Sequence, residues 1–108
     1  MIEQLPAPAL RQWLDDANRA QPLILDVREQ WEYDLCALPD AQWIPMQDVP
    51  ARAGELPREQ DIVVVCHHGM RSLQVGHFLE QAGFSRLYNL SGGIAGWAEA
   101  VDPAMRRY

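Results

Sequence analysis

Apolar positions along the chain follow two different rhythms. Three segments are short and nearly continuous, Leu23-Ile24-Leu25, Trp43-Ile44 and Ile62-Val63-Val64-Val65, and the stretch 86–90 reads as another strand. Such runs read as buried strands, and the β-branched run at 62–65 reads as a central parallel one. Pro45 stops the second of these strands. Between them, apolar residues recur at helical spacing: Leu10, Trp13, Leu14 and Ala17; Val75, Phe78, Leu79 and Ala82; Ile94, Trp97, Ala98 and Val101. These stripes predict helices over 7–20, from Ser72 as cap to Gly83 as stop, and from Ser91 as cap onward. Shorter helices are expected over 29–35, where Trp31 and Leu35 lie four apart, and over 47–53, ended by Gly54. Leu38-Pro39-Asp40-Ala41 carries turn chemistry. The tail 105–108 is expected to fray.

Strands alternating with helices predict an α/β domain, a parallel sheet of four to five strands with helices on both faces. Its 108 residues suit one domain. In such sheets, ligands gather at the carboxyl ends of the strands. Cys66 stands there, at the end of 62–65. The short loop His67-His68-Gly69-Met70-Arg71-Ser72 follows and leads into a helix. Thiolate is the reactive form of cysteine, and a helix N-terminus favours negative charge. Free amides of the loop and helix start can surround an anion or a bound sulfur. Arg71 adds a permanent charge with fixed donors, and Gly69 lets the loop curl. Together these suit a nucleophilic cysteine that carries a charged covalent adduct.

The block Cys66-His67-His68-Gly69-Met70-Arg71-Ser72 resembles the active-site loop of the rhodanese family, the single-domain sulfurtransferases. Leu25-Asp26-Val27-Arg28-Glu29 and Leu90-Ser91-Gly92-Gly93-Ile94-Ala95-Gly96-Trp97 also look like that family, in the same order. The resemblance implies a rhodanese-like domain over residues 1–108 and a fifth strand near Ile2. It also implies sulfur transfer through a Cys66 persulfide, from thiosulfate or a similar donor to cyanide or a cellular thiol, which can belong to a protein. Asp26 and Arg28 brace the site in that family; a charged pair at a strand end also reads as a plain structural ion pair. Four residues separate Cys66 from Arg71. Rhodanese-like loops resemble this length, whereas related phosphatases and arsenate reductases have one residue more. A partner-binding module without turnover is the alternative class, and such modules often lack the loop cysteine. Family members commonly carry Gly-His-Ile-Pro-Gly-Ala where this chain has Cys36-Ala37-Leu38-Pro39-Asp40-Ala41. Its His and both glycines are replaced.

Charge and cysteine content narrow the field. Nine basic against 15 acidic residues give a net charge of −6, which argues against nucleic acid and anionic membranes as partners. Two cysteines, Cys36 and Cys66, are too few for a disulfide scaffold. Cys36 reads as a small buried hydrophobe, or as a thiol that resolves an oxidised or persulfidated Cys66. Adjacent His67 and His68 rarely point at one ion, so neither a metal nor a cofactor is expected. The chain begins without a signal-like pattern and has no long apolar run, which makes the cytoplasm the default compartment. The oligomeric state is not legible.

Overall fold

The computed structural model describes residues 2–108. Five strands, β1 (Glu3–Pro6), β2 (Leu23–Asp26), β3 (Gln42–Trp43), β4 (Ile62–Val65) and β5 (Leu87–Ser91), form one sheet in the order β1-β5-β4-β2-β3. Every pairing is parallel. Five α-helices connect them: α1 (Ala7–Asp15), α2 (Gln30–Leu35), α3 (Val49–Arg52), α4 (Met70–Gln81) and α5 (Gly93–Ala100). The expected α/β class is therefore observed, and the strand expected near Ile2 is β1.

Alternation along β4 sorts the core into two halves. Ile62, Val64 and Cys66 face the layer of α3 and α4, packing with Val49, Val75 and Leu79. Val63 and Val65 face α1 and α5, packing with Leu10, Trp13, Ile94 and Trp97. Because β4 is the middle strand, its end lies at the centre of the sheet's carboxyl edge.

Four local expectations are corrected. The first helix ends at Asp15 rather than near residue 20, and Ala17 is exposed. Asp16 takes extended backbone and its carboxylate accepts the Asn18 amide, while the Trp13 indole donates to the Ala20 carbonyl, folding the chain back. Ser72 and Ser91 cap no helix: Gly69 and Gly92, both at positive φ, turn the chain into α4 and α5. The stretch expected to be helical over 47–53 is split into 3-10 turns around the four-residue α3. The tail does not fray at its end, because Tyr108 is built into the site described below. In the replaced turn Asp40 holds φ +59°, a conformation in which Asp is among the better-tolerated side chains.

Among the described residues, no helix is long and apolar enough to cross a membrane.

Candidate active site

Cys66 leaves β4 only 1% exposed, with its sulfur turned into its own loop. The Gly69 amide donates to Sγ at 3.0 Å, and Ser72 Oγ lies 3.3 Å away. That loop is held open from behind. Ile94 N donates to the Cys66 carbonyl at 2.9 Å and Ala95 N to the His67 carbonyl at 3.0 Å, so the first turn of α5 fixes both peptides. With these two carbonyls drawn to α5, the His67 and His68 amides of the same planar peptides face the opposite way. Those of His67, His68, Met70, Arg71 and Ser72 donate to no backbone carbonyl among the described residues. Gly69 N is the loop amide that bonds the sulfur, and unpaired amides beside a helix start are anion-receptive.

Ser72, expected as a helix cap, is buried. It donates to Asn89 Oδ1, and Asn89 Nδ2 in turn donates to the Gly69 carbonyl at 3.2 Å and to Gln4 Oε1 at 3.0 Å. Two strands thereby brace the loop from beneath.

Arg71 is not free to reach into solution. Its Nη1 and Nη2 donate to Glu32 Oε1 and Oε2 at 2.7 and 2.8 Å, a bidentate pair. Glu32 is buried on α2, where Oε1 also accepts the Glu29 amide at 3.0 Å. The Arg71 hydrogen bonds, outweighing burial, push its carboxyl down to about 2. Glu32 reciprocally raises the Arg71 guanidinium. The pair ties α2 to the mouth of the loop.

Asp26 and Arg28 lie just beneath. Arg28 is fully buried, and its Nε and Nη2 donate to the Asp26 carboxylate at 2.7–3.1 Å. Nη2 also donates to the Cys36 carbonyl at 2.6 Å, and Nη1 to the Glu32 carbonyl at 3.3 Å. Burial opposes the Arg28 charge, but the Asp26 bonds prevail and its pKa is raised. Neither side chain is placed against Cys66.

A cavity of about 290 Å³ opens over the loop, lined by Glu32, Cys66, His67, His68, Met70, Arg71 and Tyr108. Met70 stands at its edge, 70% exposed. The His67 and His68 rings meet edge to face, 4.0 Å between centroids. His67 Nδ1 is buried without a partner among the described residues. Burial and then the neighbouring His68 lower the His67 pKa, which favours the neutral ring. Among the described residues, no group of three His, Cys, Asp or Glu is placed to hold a metal ion.

Glu32, Asn89 and Tyr108 were not singled out in the sequence. Glu32 carried a signal: it sits three residues after Glu29 at a helix start, the spacing of a capping box. The Trp31–Leu35 stripe pointed to the wrong face instead, for Trp31 is 56% exposed while Glu32 is buried. Asn89 and Tyr108 reach the site only through tertiary packing.

Known proteins share this arrangement of elements. The model of the family described as "Rhodanese-like domain" matches residues 7–100. A sulfurtransferase of Allochromatium vinosum is 37% identical over 98 residues, covering 91% of this chain and 90% of its own. A thiosulfate sulfurtransferase, GlpE, of Pseudoalteromonas translucida is 25% identical, covering 92% and 94%. The crystal structure of a rhodanese-like domain protein from Staphylococcus aureus superposes with a TM-score of 0.83, at 25% identity and 99% coverage of both chains. With a family match over most of its length and single-domain sulfurtransferases among its homologues, the chain belongs to the rhodanese-like domain family.

Proposed function

We propose that the protein transfers sulfane sulfur by a ping-pong reaction through a persulfide on Cys66. The observation that carries this reading is the position of Sγ. It accepts the Gly69 amide beneath the start of α4, inside a loop whose other amides are uncommitted, and it borders an open cavity.

In the first half-reaction the Cys66 thiolate attacks the outer sulfur of a donor such as thiosulfate. The donor's S–S bond breaks, sulfite leaves with the bonding pair, and Cys66 carries a persulfide anion. In this reading the loop amides stabilise the charge on that outer sulfur. In the second half-reaction a thiophilic acceptor, cyanide or a cellular thiolate, attacks the outer sulfur, and the Cys66 thiolate is the leaving group. No general acid is required in either step. Arg71 serves by holding the loop against Glu32; its two terminal nitrogens are already engaged. Asp26 and Arg28 support the floor, and His67, His68 and Met70 form the surface that meets the acceptor.

Thiosulfate treatment followed by mass spectrometry tests this. One added sulfur atom is expected on Cys66 and none on a Cys66→Ser variant. Thiocyanate should then form from cyanide with wild type only. An unmodified Cys66 under persulfide-preserving conditions, or equal thiocyanate rates in the two proteins, overturns the reading.

A further inference from the structure

Tyr108 lies beyond the residues that match the family model, yet it occupies the mouth of the site. Its ring packs on His67, the residue that follows Cys66, at 4.0 Å between centroids and 51° between planes. Trp31 of α2 meets the same ring edge-on at 5.2 Å. The hydroxyl is locked on both sides. Arg28 Nη1 donates to it at 3.0 Å, and it donates to Glu32 Oε2 at 2.8 Å. Guanidinium can only donate and carboxylate can only accept, so the single phenolic proton has one direction.

The consequence is a continuous chain of polar contacts, Asp26–Arg28–Tyr108–Glu32–Arg71, that runs from the end of β2 to the active loop. Burial first, and then the bond to Glu32, keep the phenol neutral against the pull of Arg28. The segment behind it is anchored as well. Met105 packs against the core on the α1 and α5 side, and Arg107 donates to the Ala98 carbonyl at 3.2 Å. A ring held by two neighbouring rings and by both partners of its hydroxyl makes a wall at the mouth of the cavity.

We propose that Tyr108 is a specificity-determining residue of this site, its ring forming the wall past which the sulfur acceptor reaches Cys66. The proposal rests on the sulfur-transfer reading and adds to it that the wall favours small acceptors over bulky thiols. Cyanide passes the ring; a tripeptide thiol must fit its backbone between Tyr108, His68 and Met70.

The test compares wild type, Tyr108→Phe and Tyr108→Ala, all in a Cys36→Ser background so that only Cys66 reacts. With thiosulfate as donor, the ratio of kcat/KM for glutathione to that for cyanide should rise about tenfold in Tyr108→Ala, in the range that shape-based discrimination reaches. Tyr108→Phe, which keeps the ring, should stay within roughly threefold of wild type. A Tyr108→Ala ratio within about twofold of wild type, or a Phe variant that behaves like Ala, overturns the proposal. Alkylation of Cys66 by iodoacetamide and by fluorescein maleimide reads the same wall without sulfur chemistry. The bulky reagent should gain far more than the small one in Tyr108→Ala, and equal gains count against the wall. If wild type forms no persulfide, the proposed function fails while the alkylation ratio still decides the role of Tyr108. Tyr108→Leu, expected to give an intermediate ratio, replaces Tyr108→Ala should the latter fail to fold.

Discussion

Ser72 Oγ stands 3.3 Å from the Cys66 sulfur, yet its proton is directed elsewhere, to Asn89 Oδ1. The orientation follows from the Asn89 amide, whose nitrogen must face the Gly69 carbonyl it bonds. Ser72 therefore presents a lone pair to the sulfur, and a protonated Cys66 donates to it.

Ser72→Ala strands Asn89 Oδ1 in the interior without a donor. It should cost about 1–3 kcal/mol of stability, the usual penalty for an orphaned buried polar atom. Asn89→Ala removes the same contact from the other side. Measured by urea unfolding, the double variant should be less damaged than the sum of the two, by about 1–2 kcal/mol. Strict additivity would mean that the two side chains do not share this bond.

The Glu32 carboxyl makes a specific acid-stability prediction. Its pKa falls from an ordinary 4.5 to about 2 in the folded chain. A depressed carboxylate stabilises the fold fully above its unfolded pKa and loses that contribution as pH drops through its folded one. At pH 7, Glu32→Gln should therefore be about 3 kcal/mol less stable than wild type. The gap should narrow steadily between pH 4.5 and pH 2. Urea unfolding of both proteins at several pH values checks it, and a gap that is flat with pH would show that the pair with Arg71 is not ionic.

The sequence carried the layout of the sheet because strand and helix periods are local properties. The continuous β-branched run at 62–65 reads as a buried central strand, and β4 is one. Helix starts were harder to read. Serine is a good cap in the abstract, but Gly69 turns the chain ahead of Ser72, whose hydroxyl goes to the interior, and Ser91 still belongs to β5, one residue short of the turn at Gly92. The loop from Cys66 to Ser72 was legible as chemistry, whereas what holds it was not. Glu32 pairs with a residue 39 positions away and Tyr108 with one 76 positions away. No periodicity encodes contacts of that span.

Gly93 bears on the loop more directly than its place on α5 suggests. A Cβ there would lie 2.5 Å from the Cys66 carbonyl oxygen and closer still to that of His67, both backbone atoms that α5 itself holds in place. Its φ of +60° adds a conformational cost for any other residue. Gly93→Ala should thus push the 66–67 peptides out of line and lower kcat/KM for sulfur transfer by about a hundredfold, the scale of a misplaced reacting group. Circular dichroism should still report a folded α/β protein. A variant with unchanged kcat/KM would show that the loop does not depend on α5 for its shape.

Cys36 allows a decision between its two readings. The resolving role requires its sulfur to reach the outer atom of a persulfide on Cys66. Yet Cys36 packs against the core on the α1 and α5 side, whereas Cys66 belongs to the α3 and α4 side. The nearest donor to its sulfur is Arg28 Nη1 at 3.9 Å, within the buried ion pair rather than in the cavity. Cys36→Ser should then transfer sulfur within about twofold of wild type, as substitutions away from a site generally do. Mild oxidation of wild type should produce no bond between the two cysteines on peptide mapping. A disulfide between Cys36 and Cys66, or a loss of turnover confined to the acceptor step, would require the sheet edge to open and would restore the second thiol to the reaction.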